Sequence, residues 1–104
     1  GLIKGHVRRF QLNDQNLCIP HMGWNTLEVL KKNALVDGDS GPLRFYFVHS
    51  YHVMPEDHDL CIAEANYGES FCAAFQYGLI YGVQFHPEKS HRFGMSLMKR
   101  FVEL

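Results

Sequence analysis

The run Gly82-Val83-Gln84-Phe85-His86-Pro87-Glu88-Lys89-Ser90-His91 holds the side chains best placed to do chemistry. A β-rich stretch from Leu79 to Phe85 stops at a histidine, a proline and a glutamate. Pro87 has a locked φ and biases the residue before it away from the helical region, so His86 is expected in extended backbone. Residues i and i+2 of an extended chain point to the same side, which puts the Glu88 carboxylate within reach of the His86 imidazole. A histidine that takes a proton from a nucleophile, oriented by a carboxylate that stabilises its cation, is the base half of a nucleophilic triad. The bond-making atom is not in this stretch. On spacing alone, a His-x-Glu at a strand end is most often a solvated turn.

Other polar side chains carry less. Seven histidines are many for 104 residues, and His49, His52 and His58 lie close in sequence, as do His86, Glu88 and His91. His49 and His52 are three apart on a predicted strand, which places them on opposite faces, whereas zinc needs ligands that converge tetrahedrally. No metal site and no cofactor is expected. Cys18 and Cys61 each sit in Leu-Cys-Ile and Cys72 in Phe-Cys-Ala. Without flanking glycines, all three read as small buried hydrophobes. An odd number without scaffold spacing suits free thiols in a reducing compartment, and the cytoplasm is the default. By residue type, Trp24 reads as a core anchor and Lys89 as a solvated charge.

These groups need a scaffold. The length allows one domain or less, and 46% hydrophobic with 13% aromatic residues is a globular composition. Ten basic against 11 acidic residues leave a net charge of −1, which gives no argument for nucleic acid or a membrane surface. Along the chain, Val7 to Phe10 reads as a short strand and Gln11 to Asn16 as a polar turn. Leu17 to Ile19 is a short apolar run, and Pro20 to Asn25 an exposed loop bracketed by proline and glycine. Thr26 to Leu30 suits strand or helix. Lys31 to Pro42 is a polar loop, and Leu43 to Val53 is the strongest strand, rich in aromatic and branched residues. Met54 to Asp59 is an acidic turn. Cys61–Tyr67 and Ser70–Gln76 flank Gly68-Glu69, which predicts a hairpin. Tyr77-Gly78 turns into the strand that ends at His86. From Ser90, a plausible N-cap, the tail reads as a helix with Phe93, Leu97, Met98, Phe101 and Leu104 on an apolar, core-facing stripe. The sum is six or seven strands and one helix.

Gly-Val-Gln-Phe-His-Pro-Glu, residues 82–88, resembles the C-terminal signature of the class I (triad-type) glutamine amidotransferases. Pro20-His21-Met22-Gly23-Trp24-Asn25, Tyr46-Phe47-Val48-His49-Ser50-Tyr51, Lys89-Ser90-His91 and, upstream, Leu2-Ile3-x-Gly5-x-Val7 narrow the likeness to the glutaminase subunits of imidazole glycerol phosphate synthases. The resemblance implies an α/β, flavodoxin-like three-layer domain with a mixed central sheet and catalytic residues at the carboxyl ends of strands. Residues 1–104 would be its strand-rich C-terminal half, with one C-terminal helix.

The resemblance also implies a reaction. L-Glutamine is hydrolysed to glutamate and ammonia, and the ammonia passes to a barrel-shaped cyclase that makes imidazole glycerol phosphate for histidine synthesis. By position, His86 carries over as base and Glu88 as its orienter. His49, Ser50 and Tyr51 match a segment near the bound glutamine. Trp24, Asn25, Tyr46 and Lys89 match residues at the cyclase interface and ammonia path. One departure is large: the family's nucleophile stands in Gly-x-Cys-x-Gly, and none of the three cysteines does. A half lacking that elbow is expected to be inactive alone and, with sheet edge and apolar surface uncovered, to self-associate. The alternatives are a non-catalytic, partner-binding relative and a paralogue supplying ammonia to surface-polysaccharide synthesis.

Overall fold

The computed structural model describes residues 3–11, 17–36 and 42–104. The turn expected at Gln11–Asn16, apart from Gln11, lies outside the described residues, as do residues 37–41 of the loop expected at Lys31–Pro42 and Leu2 of the upstream motif. Seven strands and one α-helix make up the rest: β1 (Gly5–Arg9), β2 (His21–Val29), β3 (Leu43–His49), β4 (Tyr51–Pro55), β5 (Cys61–Asn66), β6 (Ser70–Tyr77), β7 (Ile80–Val83) and α1 (His91–Val102). They form a strand-rich α/β arrangement. β1 and β4 make a two-stranded sheet, and a five-stranded sheet runs in the order β3-β2-β5-β6-β7. Among the described residues, every strand pairing is antiparallel. No described helix is long and apolar enough to cross a membrane.

Two expectations about the strands change. Pro20–Asn25 is not an exposed loop: from His21 the chain is strand, with His21 buried and Met22 exposed. Gly23, which looked like a break, has a φ of +130° inside the strand, a conformation that L side chains rarely adopt. The long strand expected from Leu43 to Val53 is broken at Ser50 into β3 and β4, which belong to different sheets. The backbone N–H of Phe10 donates to the Ser50 carbonyl at 3.1 Å, tying the segment after β1 to the break. Aromatic and branched residues on both sides of Ser50 favour strand, and residue-type preference cannot register such a long-range contact. The hairpin at Gly68-Glu69 forms as its turn residues predict, with Asn66 opposite Ser70.

The core is aromatic. Phe45 and Phe47 alternate on one face of β3 and are 1% and 0% exposed. Phe45 stacks on Phe85 with ring centroids 4.1 Å apart and meets Phe93 of α1 at 6.1 Å. Phe47 meets Phe71 edge-on at 5.8 Å. Burying each ring contributes roughly 1.5–3 kcal/mol. These contacts make β3 the most firmly anchored element near His86. The helical stripe is only partly core: Leu97 is buried and Phe93 half-buried, but Phe101 and Leu104 are 51% and 57% exposed and Met98 is exposed too. α1 meets β3 through Phe93, whose ring lies 6.1 Å from that of Phe45, whereas the far end of the stripe stays largely open.

Candidate active site

The site is built on the outer edge of β3. Beyond β7, the N–H of Gln84 still donates to Ala73 of β6 at 2.8 Å, and the chain then crosses to β3. There the N–H of His86 donates to the Tyr46 carbonyl at 2.9 Å. His86 has φ −104° and ψ 98°, the extended backbone that Pro87 demands. Pro87–Lys89 then forms a 3-10 turn rather than continuing extended. His86 and Glu88 therefore meet across a tight turn, not along a strand. His86 Nδ1 and Glu88 Oε1 are 2.6 Å apart, a short contact of the kind that charge-assisted hydrogen bonds make.

The pair is accessible: the His86 side chain is 38% exposed and that of Glu88 62%. Hydrogen bonds from its own backbone N–H and then from His86 hold the Glu88 carboxyl below the usual range, so it is ionised at neutral pH. An ionised Oε1 accepts from Nδ1–H, which leaves Nε2 as the basic nitrogen of the neutral ring. The arrangement can take a proton at Nε2 and stabilise the resulting cation through Glu88.

Behind the pair lies a second set of histidines. His49 Nδ1–H donates to the Tyr51 carbonyl at 2.9 Å, so His49 Nε2 accepts from His21 Nδ1–H, also at 2.9 Å. His21 Nε2 in turn faces the Asn25 amide nitrogen at 3.3 Å. That amide cannot flip freely, because its nitrogen donates to the Asn66 carbonyl at 2.7 Å and its oxygen accepts from the Thr26 N–H at 2.8 Å. The chain runs one way and needs both rings neutral. Burial, then the neighbouring His49, lowers the His21 pKa to about 4. Burial likewise lowers those of His49 and His52.

His49 and His52 do not stand on opposite faces of one strand. The break at Ser50 turns both onto Phe10, each with ring centroids 5.0 Å from it. Among the described residues, no three His, Cys, Asp or Glu side chains converge as a metal site would require.

The remaining candidates separate into two groups. Trp24 and Tyr46 are cross-strand partners whose rings meet edge-on at 6.1 Å. The Lys89 ammonium stands 6.0 Å from the Tyr46 ring centroid, Arg44 the same distance from Trp24, and His91 stacks on Trp24 at 5.6 Å. Trp24 is therefore a half-open surface aromatic rather than a core anchor. Asn25 points to the other face of β2 and joins the histidine chain. His49 is buried, Ser50 half-buried and Tyr51 exposed, so the three share a segment but not a surface.

Sequence reasoning missed Arg44 and His91 as part of the Trp24 cluster, and His91 takes a φ of +47° there. It also took Ser90 for a helix cap. Ser90 does occupy the N-cap position, but its hydroxyl makes no cap bond. Cys61 and Cys72 are buried as expected, but Cys18 is exposed. The neighbouring Cys61 side chain and then burial push the Cys72 thiol up, away from thiolate character. No described contact joins any cysteine to His86 or Glu88.

The family model for glutamine amidotransferase class-I matches residues 9–104. The imidazole glycerol phosphate synthase subunit HisH of Vibrio cholerae is 48% identical over 104 residues, all of this chain and 49% of that protein. Subunit HisH 1 of Campylobacter jejuni strain 81-176 is 46% identical over the same length, 51% of that protein. Subunit HisH 2 of Pseudomonas aeruginosa is 47% identical over 96 residues, 92% of this chain and 47% of that protein. The chain thus spans about half the length of the curated relatives it matches.

Proposed function

The chain belongs to the class I glutamine amidotransferases, and on that premise we propose that it carries the base half of a glutaminase site. His86 Nε2 takes the proton of a cysteine thiol, and the thiolate attacks the side-chain amide carbon of glutamine. The imidazolium returns that proton to the departing ammonia. His86 then activates water to release glutamate, while Glu88 holds the ring and balances its charge throughout. The observation that carries this reading is the 2.6 Å contact of His86 Nδ1 with Glu88 Oε1, on a residue whose backbone is fixed to β3.

The nucleophile is a cysteine outside these 104 residues, since Cys61 and Cys72 are buried in the sheet and Cys18 has no glycine-flanked elbow. Residues 1–104 taken alone are therefore a C-terminal portion of the domain, inactive and prone to self-association. In the whole protein, Ser50 and Tyr51 border the bound glutamine with His49 behind them. Trp24, Tyr46 and Lys89 face a barrel-shaped cyclase subunit that receives the ammonia, and Asn25 supports that surface from the far side of β2. The pathway we assign is histidine biosynthesis, because the relatives are subunits of imidazole glycerol phosphate synthase, and the compartment we assign from the free thiols is the cytoplasm.

Glutamate release by the intact gene product, with its partner present, tests the reading. His86→Ala is expected to lower kcat by about 10²–10⁴. Glu88→Gln keeps the shape but not the charge, and is expected to fall between that and the parent. A His86→Ala variant that turns over glutamine at the parent rate would falsify the assignment.

A further inference from the structure

Ser90 is fully buried, at 0% exposure, one helical turn from a base that must stay open to solvent. A polar side chain so enclosed has to spend its hydrogen-bonding capacity inside the protein. Its hydroxyl donates to the His86 carbonyl at 2.7 Å and accepts from the Tyr46 N–H at 2.9 Å. The His86 N–H meanwhile donates to the Tyr46 carbonyl at 2.9 Å. Tyr46 thus holds His86 at two points, directly through the N–H and by way of the Ser90 hydroxyl through the C=O.

We infer that Ser90 is a positioning residue for His86: its hydroxyl is the second tether that fixes the plane of the base against β3. The inference rests on the glutaminase reading. One hydrogen bond fixes a point and leaves the peptide free to turn about it. Two, on opposite sides of the same residue, fix an orientation. β3 is a suitable reference because Phe45 and Phe47, either side of Tyr46, are locked in the core. The clamp is reinforced from the helix: the Ser90 N–H donates to the Pro87 carbonyl at 3.0 Å, and the Ser90 carbonyl accepts from Phe93 and Gly94 at 3.1 and 3.2 Å. The turn that aims Glu88 at Nδ1 is therefore part of the same unit. A nucleophile and base must hold hydrogen-bond geometry, and misplacement by about 1 Å can cost a hundredfold in rate.

The test uses the intact gene product with His86→Ala as reference. Ser90→Ala removes both bonds, Ser90→Cys keeps the size but weakens them, and Ser90→Thr keeps the hydroxyl. The readouts are kcat and KM for glutamine, and the ¹⁵N shifts that report the His86 tautomer. Expected are a kcat loss of about tenfold to a hundredfold in Ser90→Ala and Ser90→Cys at unchanged KM, a His86 ring no longer held as a single Nδ1–H tautomer, and kcat restored by Ser90→Thr. Folded Ser90→Ala and Ser90→Cys proteins with parental kcat and parental His86 shifts would overturn the inference. So would failure of both to fold, because Ser90 would then be a determinant of folding rather than of the base's orientation. If His86→Ala itself is fully active, the underlying glutaminase reading fails instead, and the two failures are told apart.

Discussion

Acidification should weaken the fold through its buried histidines at a pH above that at which ordinary carboxylates protonate. His21 titrates near 6.5 when exposed but only at about 4 in the fold. Between those values the unfolded chain binds a proton that the native chain refuses, so stability falls as pH falls. The loss begins below about pH 6.5 and reaches its full extent, about 3 kcal/mol for His21 alone, only below pH 4. At pH 5 the same linkage gives about 2 kcal/mol, a large share of the margin of a small domain. Burial is the main reason and the neighbouring His49 the second; the geometry agrees, since a proton added at His21 Nε2 would point at the Asn25 amide nitrogen, whose orientation Thr26 and Asn66 hold in place. His49 and His52, also lowered by burial, add in the same direction. The assay is urea unfolding followed by far-ultraviolet circular dichroism at pH 7.5 and pH 5. His21→Phe serves as the comparison, since the ring at this position already stacks on Tyr67 and Phe47. That variant is expected to be weaker at pH 7.5 but to lose less on acidification, the difference being about 2 kcal/mol. An equal loss in parent and variant would refute the directional-chain argument.

Two further outcomes are expected. Gly94→Ala, which in most helices is stabilising, should here lower Tm by several degrees: its Cβ would run into the backbone carbonyl of Pro87, and the overpacking cost of about 1–3 kcal/mol outweighs the gain in helix propensity; a Tm equal to or above the parent's would contradict this. Residues 1–104 expressed alone should sediment as dimers or larger species at micromolar concentration, because Met95, Met98 and Val102 leave the outer side of α1 apolar and exposed; a single monomeric boundary would count against it.

The pair we propose as catalytic, His86 and Glu88, was legible because its signal is local. Pro87 dictates the backbone of His86, and two residues of separation suffice to bring Glu88 onto Nδ1, although the route is a 3-10 turn instead of a strand. The Gly68-Glu69 hairpin was legible for the same reason. What could not be read was set by distant contacts. Ser50 breaks a run of strong strand formers because Phe10, 40 positions away, bonds to its carbonyl. The opposite-face argument for His49 and His52 failed with that strand. Pro20–Asn25 looked like a loop because proline and glycine are local punctuation, whereas pairing with β3 makes His21–Val29 a strand. Phe101 sits at helical spacing, yet its burial depends on a neighbour that the spacing cannot supply.

Ser90 shows how these two kinds of information meet at the site. As the residue before a helix, a serine reads as a cap, and the local prior favours that role. The hydroxyl instead completes two backbone groups, the Tyr46 N–H and the His86 carbonyl, that belong to different elements. A general base has to be exposed at its ring and immobile at its backbone, and exposure ordinarily brings mobility. Here the two demands are divided between neighbours. His86 keeps its ring open beside Glu88, while the buried Ser90, four residues on, carries the fixation to β3. A local motif can therefore announce a candidate base, but the residue we propose to hold it still becomes visible only when the chain has folded back on its own strand.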